Sequence, residues 1–188
     1  MPPLEKTCVD SLKTACERLG VGYTLWDEKT LRRAYPDEGL WLLADKLPPT
    51  VRRSVLLSDY FRMIVLNPGE CYLDTDMLCH HTPAINFKGS SLLCMGEFWD
   101  RHKEGTGFIG VQDNFSKLDA LKQAWREQTQ NLDESCVDNL LAAYGPEFLR
   151  STLQRLGIKS NILHSDQITH VQWKNKGALI HMGAGSWV

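Results

Sequence analysis

The sequence lacks the long apolar segments that would place it in a membrane. No apolar run approaches the roughly 20 residues that a spanning helix needs, and the first residues, MPPLEKTC, do not have the apolar stretch of a secretory signal peptide. We therefore expect a soluble, cytoplasmic protein with no membrane span.

The sequence also lacks a basic stripe. Its formal net charge is -2, and its Lys and Arg residues are dispersed apart from the pair Arg52 and Arg53. Proteins that bind nucleic acid usually concentrate positive charge on one face. We therefore expect no nucleic-acid partner.

Cysteine is present, but in no pattern typical of a metal site. None of the six cysteines belongs to a C-x-x-C pair, and their spacings match no zinc-binding arrangement. The favoured interpretation is that they are reduced and act as small apolar residues. The even count leaves disulfides open.

The composition is that of an ordinary globular domain. The chain has 188 residues, of which 43% are hydrophobic and 23% charged, so we treat residues 1–188 as a single domain. Apolar periodicity and capping residues predict helices at 4–18, from 28 onward, and at 38–45, 50–66, 116–128, 133–143 and 146–156. Short apolar segments predict strands at 22–26, 71–73, 107–111, 160–163, 168–173 and 178–182. This alternation favours an α/β layered fold with a mostly parallel central sheet.

Two aspartates follow one predicted strand directly. Asp74 and Asp76 come after the apolar segment 71–73, and ligands of α/β folds gather at the carboxyl ends of strands. Two carboxylates converging at a turn are suitable ligands for Mn²⁺ or Mg²⁺, which leave positions for phosphate oxygens. The alternative is a pair of exposed loop aspartates.

A charged pair interrupts the most apolar predicted helix. Asp59 and Arg62 are three residues apart and so share one helix face. One interpretation is a buried salt bridge. The other is that the pair faces a polar pocket and binds hydroxyl groups of a ligand, for which the rigid fork of Arg is suited.

The last residues form a third candidate. His181 can bind manganese through its imidazole, and Ser186 can reach the same ion. Trp187 either covers a ligand or closes the core, since a tryptophan so near a chain end suggests that the tail folds back.

These motifs in their order resemble the DXD-containing sugar transferases of the Och1-like and capsular polysaccharide type (glycosyltransferase family 32), which are related in design to clostridial toxin glucosyltransferases. Residues 58–62 (SDYFR) resemble the S-D-x-x-R helix of that family, and residues 72–76 (YLDTD) fit its Y-L-D-x-D motif. Residues 23–27 resemble its second strand, and residues 181–187 resemble its final H…G-S-W element. The resemblance covers nearly the whole chain.

The resemblance implies a single-domain, GT-A-like (Rossmann-like) three-layer fold that binds a nucleoside-diphosphate sugar, with UDP as the expected nucleotide, together with Mn²⁺ or Mg²⁺. The sugar would pass to a glycan or another hydroxyl acceptor with retention of configuration. By this resemblance Asp76 would bind the metal directly, and Asp74 would contact the ribose or, through water, the metal. Asp59 and Arg62 would hold donor-sugar hydroxyls, and His181, Ser186 and Trp187 would close over the metal and diphosphate.

The sequence departs from the family in one important place. In the family, the first strand helps to hold the nucleotide base and precedes the segment that matches Pro2 and Pro3. The present sequence starts at that segment, so no counterpart of the strand is seen. Either base recognition is rebuilt from Leu25, Trp26 and their neighbours, or the affinity for the nucleotide is lower. Trp26 also suits a core position. Because the membrane anchor of eukaryotic members is not seen, a microbial or virus-encoded form fits best.

Two other functions compete with this interpretation. Phosphatases of the haloacid dehalogenase type also place D-x-D after an apolar strand, but their motif continues to Thr or Val where this chain has Leu78. A non-catalytic nucleotide-sugar-binding module would keep the same site without sugar transfer.

Overall fold

The structure, a computed structural model, describes residues 3–81, 87, 89–96, 102–163, 167–170 and 178–182. It is 47% helical and 17% strand. This mixture of helices and strands is compatible with the predicted α/β class. Within these described ranges, no helix has both the length and the apolar composition needed to cross a bilayer.

The helices in the described ranges follow the predicted order. They are α1 (Pro3–Leu19), α2 (Glu28–Ala34), α3 (Leu40–Ala44), α4 (Val51–Ile64), α5 (Leu118–Thr129), a 3₁₀ helix (Glu134–Asp138), α6 (Leu140–Ala143) and α7 (Pro146–Leu156). The single helix predicted at 133–143 is thus two short ones, since Asn139 ends the first and caps the second.

Local sequence explains where the main helices begin and which face they bury. The Asp27 carboxylate accepts a hydrogen bond from the Thr30 backbone, which caps α2 as predicted. Thr50 caps α4 in the same way through the backbone N–H of Arg53. Nearly all of α4 after its first turn is buried, as its apolar sequence predicts.

The described strands form two sheets. The strands are β1 (Cys71–Leu73), β2 (Met77–Cys79), β3 (Leu92–Gly96), β4 (Glu104–Val111), β5 (Ser160–Ile162), β6 (Ile168–His170) and β7 (Leu179–His181). A four-stranded sheet has the order β1-β4-β3-β5, and a three-stranded sheet has the order β2-β7-β6. Strands β2 and β3 were not predicted.

Strand direction differs from the expectation of a mostly parallel sheet. In the described part of the chain, β1–β4, β3–β4 and β2–β7 are antiparallel, whereas β3–β5 and β6–β7 are parallel. The connection from β3 to β4 spans only 97–103, which is shorter than the crossover that parallel neighbours require. Both sheets are therefore mixed.

The strand predicted at 22–26 is wrong. Residues 21–27 have no regular secondary structure. The segment has residues of high β-propensity, but a strand exists only where a neighbouring strand pairs with it.

Strand β4 separates two apolar cores. Ile109 belongs to the larger core, which α4, α5 and α7 help to form. Phe108 belongs to a smaller core with Leu12 of α1 and Leu179 of β7. Because successive side chains of a strand point to opposite faces, both faces of the four-stranded sheet are covered. The candidate site lies where β1 leaves this sheet.

Candidate metal site and its buried neighbours

The loop after β1 carries both predicted aspartates. The backbone N–H of Asp74 donates to the carbonyl of Gly107 in β4 over 2.9 Å, and the Asp74 carbonyl accepts from the N–H of Met77 over 3.1 Å. The carbonyl of Asp76 then accepts from the N–H of Met182 over 3.0 Å. The loop is thus tied to the four-stranded sheet at one end and to the strand β7 segment at the other.

Pairing of β2 with β7 brings His181 to the aspartates. Met77 lies opposite His181 in the ladder. The Nε2 atom of His181 lies 3.2 Å from Oδ1 of Asp76 and 3.8 Å from Oδ2 of Asp74. One ligand atom from each of the three residues lies within 4.8 Å of the others. The three predicted metal ligands therefore form one cluster.

Electrostatics make this cluster suitable for a cation. Burial disfavours the charged form of His181, but hydrogen bonds to Asp74 and Asp76 outweigh burial and raise the pKa of His181 to about 9. Burial also disfavours the charge on Asp74, but the positive charge of Arg62 and a hydrogen bond from His181 hold its pKa at about 2. At neutral pH a protonated imidazole thus lies beside an ionised carboxylate, and a divalent cation would replace that proton.

The predicted pair Asp59 and Arg62 is a buried ion pair. Both side chains are almost fully buried, and Arg62 Nη2 contacts Oδ1 of Asp59. The same Nη2 atom lies 3.7 Å from Oδ1 of Asp74. The salt-bridge interpretation is therefore correct, and the pair also borders the metal cluster.

Asp59 keeps one oxygen without a protein partner. Its Oδ2 atom is buried and accepts no hydrogen bond from the residues that the structure describes. Burial raises the pKa of Asp59 to about 6 against the lowering effect of Arg62. A buried carboxylate oxygen without a donor is costly, so this atom is suited to accept a hydrogen bond from a ligand hydroxyl.

Three further residues shape the site and were not predicted to do so. The Tyr72 hydroxyl donates to Oδ1 of Asp74 over 2.7 Å and lies 3.0 Å from Oγ of Ser58. Gly107 adjoins the cluster, because a Cβ placed there would lie 2.9 Å from Oδ2 of Asp74 and 3.4 Å from the His181 ring. The position of Tyr72 two residues before Asp74, on the same strand face, is the signal that could have identified it.

Leu25 and Trp26, which were also predicted as site residues, lie outside this cluster. Leu25 is 43% exposed, and Trp26 packs against the larger core with its ring 6.0 Å from that of Tyr35. Ser186 and Trp187 lie outside the described residues. The roles predicted for these four residues stay predictions.

All six cysteines lie in the described ranges and are free thiols, as expected. Burial raises the pKa of the Cys94 thiol in β3 and that of Cys71 in β1, the latter to about 11. The buried Cys94 thiol therefore acts as an apolar side chain rather than as a nucleophile.

Comparison with known proteins gives no information on function, so the function is inferred from the candidate site. No model of a known protein family matches the chain, and no curated protein matches it either.

Proposed function

We propose that the protein is a DXD-dependent glycosyltransferase. It would transfer a hexose from a nucleoside-diphosphate sugar, with UDP as the favoured nucleotide, to a hydroxyl of a glycan or another acceptor, with retention. The observation that supports this most is that the cluster of Asp74, Asp76 and His181 adjoins the buried pair of Asp59 and Arg62. A group suited to bind a cation would thus lie beside a group suited to bind hydroxyls.

The donor set fits the ion that such an enzyme uses. Two carboxylates and one imidazole are acceptable ligands for Mn²⁺, or for Mg²⁺ with more water, and Asp74, Asp76 and His181 would hold it. The bound cation would stabilise negative charge on the departing diphosphate as a Lewis acid.

The buried pair would orient the donor sugar. Oδ2 of Asp59 is buried and lacks a hydrogen-bond donor among the described residues, so it would accept a hydrogen bond from a sugar hydroxyl. Arg62 fixes the Asp59 carboxylate through its other oxygen. Orientation of the reacting sugar lowers the barrier without any proton transfer by Asp59.

The rest of the proposal concerns the fold and the nucleotide. A GT-A-like, Rossmann-like three-layer arrangement is supported by the two cores on opposite faces of the four-stranded sheet. Leu25 and Trp26 would contact the base, and Ser186 and Trp187 would cover the diphosphate.

Calorimetric titration with a panel of nucleoside-diphosphate sugars tests this function. We expect one donor to bind in the presence of Mn²⁺ and to lose binding in EDTA. The variant Asp76→Asn should lose the metal-dependent part of donor binding, because it removes the negative charge of one metal ligand. Asp10→Asn, on the exposed side of α1, is the matched control and should bind as wild type.

Sugar release from the bound donor separates an enzyme from a binding module. Metal-dependent release or transfer supports the proposal, whereas tight binding without release would favour the module. Hydrolysis of p-nitrophenyl phosphate without donor binding would favour the phosphatase and refute the proposal.

A further inference from the structure

The two oxygens of the Asp74 carboxylate face different partners. Oδ1 accepts the 2.7 Å hydrogen bond from Tyr72 and lies 3.7 Å from Nη2 of Arg62. Oδ2 lies 3.8 Å from Nε2 of His181, on the side of the metal cluster. One oxygen is therefore used by the protein, and the other is directed to the ion site.

Tyr72 is itself held firmly. Its single hydroxyl proton is donated to Asp74, so the hydroxyl of Ser58, 3.0 Å away, must be the donor in their contact. The Arg62 guanidinium lies over the Tyr72 ring, 5.1 Å from its centroid. The tyrosine is thus constrained at its ring and at its hydroxyl.

The opposite side of the carboxylate is fixed by β4. The Gly107 carbonyl accepts the Asp74 N–H, and the missing side chain leaves space for Oδ2, since a Cβ there would lie only 2.9 Å from it. Gly107 therefore lets the Asp74 carboxylate lie close to β4, where a larger residue would displace it.

We infer that Tyr72 is a positioning residue that makes Asp74 a ligand through one oxygen only, and that it thereby selects Mn²⁺ or Mg²⁺ over Ca²⁺. Ca²⁺ takes six to eight oxygens and readily uses both oxygens of a carboxylate, whereas the smaller ions require octahedral geometry. A carboxylate with one oxygen already hydrogen-bonded to Tyr72 therefore suits Mn²⁺ and Mg²⁺ better than Ca²⁺. This inference rests on the metal site of the proposed function.

The variant Tyr72→Phe tests it with metal ions alone. Mn²⁺ and Ca²⁺ are titrated separately into the full chain, without any donor. Loss of an outer hydrogen bond to a metal ligand typically lowers affinity by about 10- to 100-fold, so we expect at least a tenfold loss for Mn²⁺. Ca²⁺ should bind as in wild type or more tightly, because both oxygens of Asp74 become available.

Two further variants make the result specific. Tyr144→Phe removes a hydroxyl that is 2.6 Å from Oγ1 of Thr129 in the larger core, and it should leave the ratio of Mn²⁺ to Ca²⁺ affinity unchanged. Ser58→Ala loosens Tyr72 without removing its hydroxyl, so the ratio should fall by a smaller factor. This variant keeps the test valid if Tyr72→Phe does not fold.

The outcomes distinguish the inference from the function on which it rests. Binding of Mn²⁺ by wild type with an unchanged ratio in the folded Tyr72 and Ser58 variants, or an equal loss for both ions, overturns the inference and leaves the proposed function standing. Failure of wild type to bind Mn²⁺ overturns the metal site and both proposals with it. A selective loss of Mn²⁺ affinity supports the role of Tyr72.

Discussion

At the scale of single residues, Arg62 is the charge on which the site depends. It lies between the carboxylates of Asp59 and Asp74, and removal of one partner from a buried ion pair leaves an uncompensated charge. We expect Arg62→Met to lower the free energy of unfolding by about 3–5 kcal/mol, measured by urea denaturation at pH 7.

An exposed ion pair supplies the control for this prediction. Arg52 pairs with Asp138 at 3.0 Å, with side chains that are 58% and 74% exposed. Arg52→Met should therefore change stability by less than about 1 kcal/mol. An equally small effect of Arg62→Met would mean that a proton on Asp59 compensates for the lost guanidinium, and it would contradict the prediction.

Gly107 gives a second prediction at this scale. In Gly107→Ala the new methyl group would lie 2.7 Å from Sδ of Met95 and 2.9 Å from Oδ2 of Asp74. The flexible side chain of Met95 can move away from the methyl group. The Asp74 carboxylate can avoid the methyl group only by leaving the position in which Tyr72 holds it. We expect a loss of Mn²⁺ affinity of about tenfold or more, measured by calorimetry, in a protein that still folds.

The same substitution in open space is the control. A Cβ on Gly22 has no atom within 4 Å, so Gly22→Ala should bind Mn²⁺ as wild type does. Unchanged affinity in Gly107→Ala would show that the metal cluster does not depend on the close approach of β4.

At the scale of elements, the ion pair of Glu28 and Arg53 joins three helices. Glu28 in α2 accepts two hydrogen bonds from Arg53 in α4, at 2.7 and 2.8 Å, and Arg53 also donates to the Ala44 carbonyl in α3 over 2.9 Å. These bonds to Arg53 hold the pKa of Glu28 at about 2. The Glu28 side chain is 40% exposed, so solvent screens the interaction.

Glu28→Gln should therefore lower the free energy of unfolding by about 1 kcal/mol at pH 7. Since the folded-state pKa is below the ordinary value of 4.5, the contribution is present above pH 4.5 and is lost as pH falls toward 2. Urea denaturation at pH 7, 4 and 2.5 should show the difference from wild type shrinking. Glu17→Gln, on the exposed end of α1, is the control, and a constant difference across this range would contradict the assignment.

The helices were predictable from sequence because each carries its own evidence. The spacing of Leu4, Cys8, Leu12 and Cys16 predicts α1, and of these four residues Cys8 and Leu12 are buried. The Pro at the start and Gly at the end of α7 fix its length. A strand does not carry all of its own evidence, because it also needs a partner strand elsewhere in the chain. The segments 22–26 and 77–79 are both short and apolar, but only the second finds a partner, β7, about 100 residues away.

The residues of the candidate site were predictable from local sequence, but the contacts between them were not. Asp74 and Asp76 follow a visible apolar segment, and Asp59 and Arg62 interrupt an apolar helix, so the composition of the site could be inferred locally. The pairing that brings Gly107 beside Asp74 and the hydrogen bond of Tyr72 depend on the sheet register. No pattern within one segment contains that register.

At the scale of the whole molecule, the candidate metal ligands connect the two sheets. Asp74 follows β1 of the four-stranded sheet, whereas His181 ends β7 of the three-stranded sheet. A cation that binds only the folded arrangement stabilises it in proportion to the logarithm of its concentration. We therefore expect Mn²⁺ to raise the melting temperature of the entire domain rather than that of one part.

The stability of the metal-free protein and the additional stability that Mn²⁺ provides should depend on pH in opposite directions. Because the pKa of His181 is raised to about 9, its contribution to the metal-free protein, up to about 3 kcal/mol, is fully present below pH 6.5 and is lost as pH rises through 9. The metal instead requires the deprotonated imidazole. The shift in melting temperature caused by Mn²⁺ should therefore be larger at pH 8 than at pH 6, as calorimetric scans can measure, and His181→Gln should remove that difference. A shift that is equal at both pH values in wild type would exclude His181 from the ligands and leave Asp74 and Asp76 as the predicted ligands among the described residues.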